Sequence, residues 1–478
     1  MRNRAPKSSP PRRNFLKQGA AALGGALGAQ ALPGLALAAT EHVSVATPPA
    51  AKNTPHLSWT NWSGLQKAQP QVLATPADEG ALVELIASSK GEVRAFGSGH
   101  SFTPLVPTHH TIVSLDKLSG LISVDKATMT ATVKAGTRLG VLSRALDPHG
   151  LGLRNLPDID VQTIAGAIST ATHGTGLRLP ALHDDVVGMR IVTPTGKVVD
   201  LTQAKDPELL AAARVSLGSL GVVSQVTLKV LPAYNLHRRL WVQPIEELLE
   251  RVPKLVETHR GFDMYYLPFT GFGVGISYDL YTGTDFVMPP ALDDSTMDDL
   301  RKLRDWLGRF PALRQWAAQK LIDPNTSEES RQRSWKLLST VRPMKFNESE
   351  WHVPRDQGVA CFRQVIKAVE RHNEAFFPIE FRHVKGDGAW LSPFYQRDSC
   401  SIAVHASAEE AYQYLVDDCG PIFRQHHGRP HWGKLHTADA KELSALYPRW
   451  ADFQQVRQQF DPQGRMLNAH LRKLFVKA

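Results

Sequence analysis

The chain has 478 residues, of which 42% are hydrophobic and 21% charged, a length that exceeds one ordinary domain and suits two or three, each with its own core. The net charge is +9, but residues 1–39 hold six basic side chains and no acidic one, and without them the excess falls to +3. No cluster of Lys and Arg interleaved with aromatics remains, so no nucleic-acid partner is expected, and Cys361, Cys400 and Cys419 form neither a CxxC pair nor an even set, against a zinc site or a disulfide framework.

The first segment in chain order has the features of an export signal. Arg12 and Arg13 head RRNFLK, an Ala/Gly-rich apolar stretch follows from about Ala20 to Leu37, and Ala36-Leu37-Ala38 has small residues at cleavage spacing. This is the pattern of a Tat-type signal over residues 1–39, which implies the Tat export machinery as a partner and a periplasmic or secreted destination, membrane-associated only if the signal is retained. The apolar stretch is short for a span and diluted by Gly24, Gly25, Gly28, Pro33 and Gly34, so no stable transmembrane domain is expected after processing. Residues 40–58 have the composition of a linker.

Residues 59–232 form a first organised block. Periodicity predicts a helix from Ala81 to Ser89, a short buried strand at VRAF that ends in a glycine turn, a hairpin of LISVD and MTATVKAG, and a helix from Leu139 to Leu146. Strands follow at VVGMRIVT and KVVDLT around Pro194-Thr195-Gly196-Lys197, then at VVSQVTLKVL, which makes a mixed α/β or α+β domain. Residues 233–440 form a second block, dense in aromatics at its start, with a polar helical stretch near 295–342 and helical spacing from Gly358 to Phe376. Residues 441–478 are amphipathic and are expected to fold back on the first block.

Four stretches carry candidate chemistry. In VRAFGSGHSFTPL, Gly97 and Gly99 permit close backbone approach to a phosphate, but Phe102 stands where a dinucleotide fingerprint needs its third glycine, and Pro104 and Pro107 exclude an immediate helix. A second small-residue loop, AGAISTATHGTG at 165–176, also embeds a histidine; the two loops either line a diphosphate together or are two tight turns. HHGRPHWGKLH gathers histidines 426, 427, 431 and 436 without an acidic or thiolate neighbour, so no metal is expected there, and a rigid turn that presents Lys434 is the simpler reading. In PIEFRHV, strand alternation puts Glu380 and Arg382 on one face and Ile379, Phe381 and His383 on the other. That pair is either solvated or a buried, charge-paired grip for hydroxyls.

Together with FNESEW at 346–351, WLSPFYQRDS at 390–399 and the ending YPRWADF…DPQGRMLNAHLRKLF, these stretches occur in the order found in a known family. From Trp59 onward the chain resembles the aldonolactone and alditol oxidases of the vanillyl-alcohol-oxidase-type flavoproteins. The resemblance implies an α+β fold: a two-part FAD-binding domain of the PCMH type and an α+β substrate-binding cap. It implies FAD, joined covalently to His100, with Arg94, Gly97, Ser98, Gly99, Ser101, Pro157, Gly166, Ser169, Thr172, His173, Gly174, Gly176, Val222 and His470 along the cofactor. It implies Glu380, Arg382, His405 and Lys434 as the catalytic groups around the substrate. Pro157 aligns where dehydrogenase relatives carry a blocking alanine, and Asp158 where alditol oxidases carry a substrate-facing serine.

The implied activity is oxidation of a secondary alcohol of an aldono-1,4-lactone, of the D-arabinono- or L-gulono- type, with O2 reduced to H2O2. An alditol or sugar oxidase, a lactone dehydrogenase that passes electrons to a quinone or cytochrome, and a non-catalytic carbohydrate-binding protein on the same fold are the alternatives. In the enzyme readings Arg382 and Lys434 act as fixed cations on developing alkoxide charge. Glu380 orients Arg382 and binds hydroxyls. His405 is either the base or a structural histidine bonded to backbone.

Overall fold

A three-stranded and a five-stranded sheet, with two two-stranded ones beside them, form the first half of the protein. A computed structural model describes residues 57–290, 295–340 and 344–476; the signal-type segment and all but the last two residues of the linker lie outside them. Strands Val72–Ala74 and Val93–Phe96 flank Thr111–Ser114 in a three-stranded parallel sheet. The helix Glu79–Ser88 is capped by Asp78, whose side chain accepts from the Ala81 N–H, as an N-terminal aspartate should. A five-stranded antiparallel sheet follows, in the order Val198–Thr202, Val186–Val192, Val222–Lys229, Thr130–Lys134, Leu121–Asp125. Both expected hairpins are present in it. The expected helix over Leu139–Leu146 has those bounds.

The second half is built on one eight-stranded antiparallel sheet. Its apolar face is covered by two amphipathic helices, Ile245–Thr258 and Gly358–Val369, which bury Leu248, Val252, Leu255, Phe362, Val365 and Ile366. The other face is polar and meets the first half. Cross-strand register lines up Tyr265, Glu380, Ala403 and Glu350 in one row, Asp263, Arg382, Ser401 and His352 in the next, and His405 opposite Glu348. Directly paired residues of antiparallel strands share a face, so the sequence alternation of four strands puts all these groups on one surface.

One expected element is corrected. The 295–342 region is not a continuous helical stretch: it contains helices Ser295–Leu307 and Pro311–Leu321, then an edge strand Ser327–Arg333 and a short helix Ser334–Leu337. The strand SEESRQR pairs through its backbone with Asn235–Trp241, and an edge strand needs no apolar run to do so. The closing segment lies against the first half, where the Val93 N–H donates to Arg465 O (2.8 Å) and Asn468 Nδ2 to Pro104 O (2.8 Å). All three cysteines are free and buried.

Candidate active site

The loop after Val93–Phe96 opens a cleft of about 1300 Å³, its open mouth included, lined by residues 97–103, Gln162, Thr163, Gly166, Gly218 and Val222 and reaching Phe346, Glu348 and Lys434 of the second half. Gly99 holds φ +68°, a left-handed conformation that glycine adopts without penalty. At Gly97 a Cβ would stand 1.9 Å from Thr163 Oγ1. The backbone N–H groups of Ser98, Gly99, His100 and Ser101 donate to no acceptor among the described residues. A run of free N–H groups in a glycine turn is an anion cradle, and the apolar wall of Leu105, Ile159, Leu217 and Val222 suits a flat aromatic ring. The residues present therefore fit FAD.

His100 stacks on Trp62, with ring centroids 4.9 Å apart. Burial, with Lys434 nearby, pushes its imidazole down to about 4, so the ring is neutral at physiological pH and offers a nitrogen lone pair. Arg94 also lines the cleft, but its guanidinium is taken up by protein: it donates to the carbonyls of Leu105 (2.7 Å), Gly218 (3.1 Å), Leu217 (2.7 Å) and Met466 (2.5 Å). Its part is to tie the cleft walls together.

The polar sheet face holds two charge clusters. In the first, Arg382 Nη2 is ion-paired with Asp158 and with Glu380, and its Nε lies 3.8 Å from Asp263. The Tyr265 hydroxyl is 2.9 Å from Asp158 Oδ2 and 2.6 Å from Glu380 Oε1. That hydroxyl has one proton and cannot donate to both carboxylates at once, while Arg382 pairs with each of them. Burial above all, with Asp158 adding repulsion against the pull of Arg382, raises Glu380 well above the usual carboxylate range. Glu380 is thus the acid of this cluster pushed toward its protonated form.

In the second cluster Lys434 Nζ is ion-paired with Glu348 and lies 3.9 Å from Glu350. Glu350 also accepts from Ser401 and lies 2.9 Å from His173 Nε2. Burial works to raise both acids, but Lys434 and His405 outweigh it at Glu348 and hold it at about 2, while His173 does the same at Glu350, which sits well below the ordinary range. His405 Nδ1 is 2.9 Å from Pro378 O, an acceptor, so Nδ1 carries a proton and Nε2 is the nitrogen turned toward Glu348. That nitrogen lies 3.6 Å from Glu348 Oε1. His405 thus bonds the backbone through Nδ1 and meets the charge cluster through Nε2.

Of the expected cofactor residues, Gly97, Ser98, Gly99, His100, Ser101, Gly166, Ser169 and Val222 line the cleft with Arg94, whereas Pro157, Thr172, His173, Gly174, Gly176 and His470 do not. The reason differs by residue. A Cβ at Gly174 would stand 2.4 Å from Leu156 O within the first half, and one at Gly176 2.8 Å from Arg260 O; the Gly176 N–H also donates to His383 O (2.8 Å), so Gly176 lies at the join between the halves. His173 points to Glu350. The Thr172 hydroxyl accepts from Gln162 (3.4 Å), Pro157 presents its carbonyl to Ser339 (2.6 Å), and burial, with Arg94 nearby, lowers His470 to about 4.

The histidines of 426–436 do not converge: His426 lies on Gln357, His436 packs against Trp351, and only His431 faces the site. A different set, His173, Glu350 and His352, brings its ligand-type atoms within 4.8 Å, but Glu350 is already held by His173, Ser401 and Lys434. Residues that sequence reasoning missed are Glu348, Glu350 and Tyr265. FNESEW carried a usable signal for two of them: alternation puts both acids on the face opposite Ser349 and Trp351.

Residues 226–474 match the family model of D-arabinono-1,4-lactone oxidase, and residues 70–202 match that of an FAD binding domain. The chain is 34% identical over 426 residues to L-gulono-1,4-lactone dehydrogenase of Mycobacterium tuberculosis, covering 87% of this chain and 98% of the relative. It is 28% identical to L-gulonolactone oxidase of Mus musculus (88% and 98% covered) and 28% identical to alditol oxidase of a Streptomyces species (87% and 98%). Among solved structures, cholesterol oxidase of B. sterolicum superposes with a TM-score of 0.72 at 16% identity, covering 90% of this chain and 100% of that one, a likeness of fold. With a cleft that fits the cofactor and these matches across both halves, the chain belongs to the D-arabinono-1,4-lactone oxidase family and is an FAD-dependent oxidoreductase acting on CH–OH donors.

Proposed function

We propose that this enzyme oxidises a secondary alcohol of an aldono-1,4-lactone of the D-arabinono- or L-gulono- type to the ketone, with O2 reduced to H2O2. The observation that carries the reading is the sheet face at the end of the cleft. A cluster whose Glu380 is raised toward the protonated form (with Asp158 and Arg382) and a cluster with ionised acids (Glu348, Glu350, Lys434) stand on either side of Ala403, and the cleft reaches them at Glu348 and Lys434. A sugar lactone has hydroxyls and a carbonyl that need donors and acceptors at fixed spacing, and such a site rejects analogues without them.

FAD, when bound, supplies the acceptor for the hydride of the alcohol carbon. It would be held by the 97–101 loop, with His100 as the point of covalent attachment. That assignment is supported by the neutral, stacked ring of His100 on the cleft wall. His405 Nε2 takes the hydroxyl proton. Arg382 and Lys434 lower the energy of the alkoxide that develops, and Glu380 donates its proton as a hydrogen bond to a substrate oxygen. Overall an alcohol and O2 become a ketone and H2O2.

A second reading, a dehydrogenase with a quinone or cytochrome acceptor, is favoured by the name of the 34% identical relative. The test is oxygen uptake and peroxide release on addition of aldono-1,4-lactones and alditols, with absorption spectra before and after acid precipitation. Lactone-dependent peroxide at the rate of turnover supports the proposal. Turnover only with an artificial acceptor supports the dehydrogenase, and flavin that washes free of the parent precipitate, as from His100→Ala, removes the covalent link. Export by Tat to the periplasm or medium belongs to the same proposal, and it is supported by the twin-arginine segment.

A further inference from the structure

The helices Ser295–Leu307 and Pro311–Leu321 form a hairpin on the rim of the cap. Two arginines root it. Arg304 donates to Glu410 (2.7 and 2.9 Å) and lies over the Phe376 ring at 4.6 Å. Arg314, which is 2% exposed, donates to the carbonyls of Asn373 (3.0 Å) and Ala375 (2.7 Å) and lies over Phe269 at 3.9 Å.

The other side is bare and apolar: Trp306 is 79% exposed, Phe310 62%, Leu313 47% and Trp316 58%. On the second helix Leu313 and Trp316 share a face, opposite the buried Arg314 and Ala318. Four large side chains left bare on one short hairpin mark an interaction site. Apart from the two root arginines, residues 298–320 hold four basic side chains, Arg301, Lys302, Arg309 and Lys320, and three acidic ones, and Arg309 and Lys320, both exposed, make no ion pair among the described residues.

We infer that this hairpin seats the enzyme on the surface of an anionic lipid bilayer. Tryptophan beside Arg and Lys is the composition that partitions to the boundary of headgroups and acyl chains, where the rings enter and the cations meet lipid phosphates. The helices are 13 and 11 residues long, too short to cross a bilayer, and no helix among the described residues is long and apolar enough to do so. The hairpin therefore lies in the interface. Its root leads to the active site: Phe376 packs on Phe377 (4.6 Å between centroids), and Phe377 packs on Phe346 (5.8 Å) and His405 (6.5 Å).

The test is co-sedimentation of the full-length holoenzyme with vesicles of phosphatidylglycerol and phosphatidylcholine, and with phosphatidylcholine alone. Because residues 1–39 are present in every sample, the readout is the difference between parent and hairpin variants. The parent is expected to bind the anionic vesicles, and binding to fall about tenfold in Phe310→Ser/Trp316→Ser and several-fold in Arg309→Glu/Lys320→Glu. Flavin content and turnover with a soluble acceptor should stay at the parent's level. If the serine pair fails to fold, the charge-reversed pair, which changes only exposed side chains, decides. Vesicle binding equal to the parent's in the folded variants, or none by the parent, overturns the inference. So does a parent dimer that the serine pair dissociates without any vesicle binding, which would assign the face to a second copy.

Discussion

Two clusters on one sheet face have the same kinds of residue and opposite protonation. Around Arg382 three carboxylates, Asp158, Glu380 and Asp263, surround one guanidinium. Around Glu348 and Glu350 two carboxylates meet Lys434, His173 and His405. Both sets are buried, so desolvation acts alike on each. Their neighbours differ: beside Glu380 stands a second acid, Asp158, which adds to burial in raising it, whereas Lys434, His173 and His405 hold Glu348 and Glu350 below the usual range. Residue type alone does not define a site's chemistry here.

The sharpest way to break this contrast is Arg382→Ala. It removes the guanidinium that pairs with Asp158 and Glu380, and kcat/KM with a lactone should fall about a thousandfold, with a loss of about 3–5 kcal/mol in urea unfolding because a buried charge pair is broken. An unchanged melt would show that the acids are all neutral. Lys434→Met should reduce kcat about a hundredfold in steady-state assays, and a variant that lost only KM would deny Lys434 a part in the transition state.

Glu348→Gln separates charge from shape. Glu348 binds its proton at about 2 in the folded state and near 4.3 unfolded. The unfolded chain therefore takes up the proton first as pH falls, and the parent loses up to about 3 kcal/mol between those values. Urea melts at low and neutral pH should show a shallower loss in the variant. Smallest is Asp158→Asn. Without its anionic neighbour Glu380 ionises more readily, so the alkaline limb of the kcat profile should move about one unit lower; a profile that stays in place would mean that Asp158 does not control Glu380.

Much of this was legible in the sequence where a physical rule acts locally. Alternation in PIEFRHV put Glu380 and Arg382 on one face, and the glycines around His100 marked a close backbone approach. What could not be read were the partners that decide protonation. Lys434 is 86 positions from Glu348 and His173 is 177 from Glu350, and an acid on a strand looks solvated until its neighbour is known. The same limit applied to Gly174 and Gly176, where the close approach of Leu156 O and Arg260 O comes from residues 18 and 84 positions away. The edge strand Ser327–Arg333 escaped because backbone pairing leaves no mark in side-chain hydrophobicity.

The four carbonyls gathered by Arg94 also set an order of assembly. They come from positions 105, 217, 218 and 466, so the cleft wall is not closed until nearly the whole chain has been synthesised. A ribosome-bound fragment that ends before Met466 would hold a buried guanidinium with one of its acceptors missing. Cofactor capture is then a late event, tied to completion of the chain, and a truncation that removes only the last helices should cost the enzyme its flavin before it costs the cap its sheet.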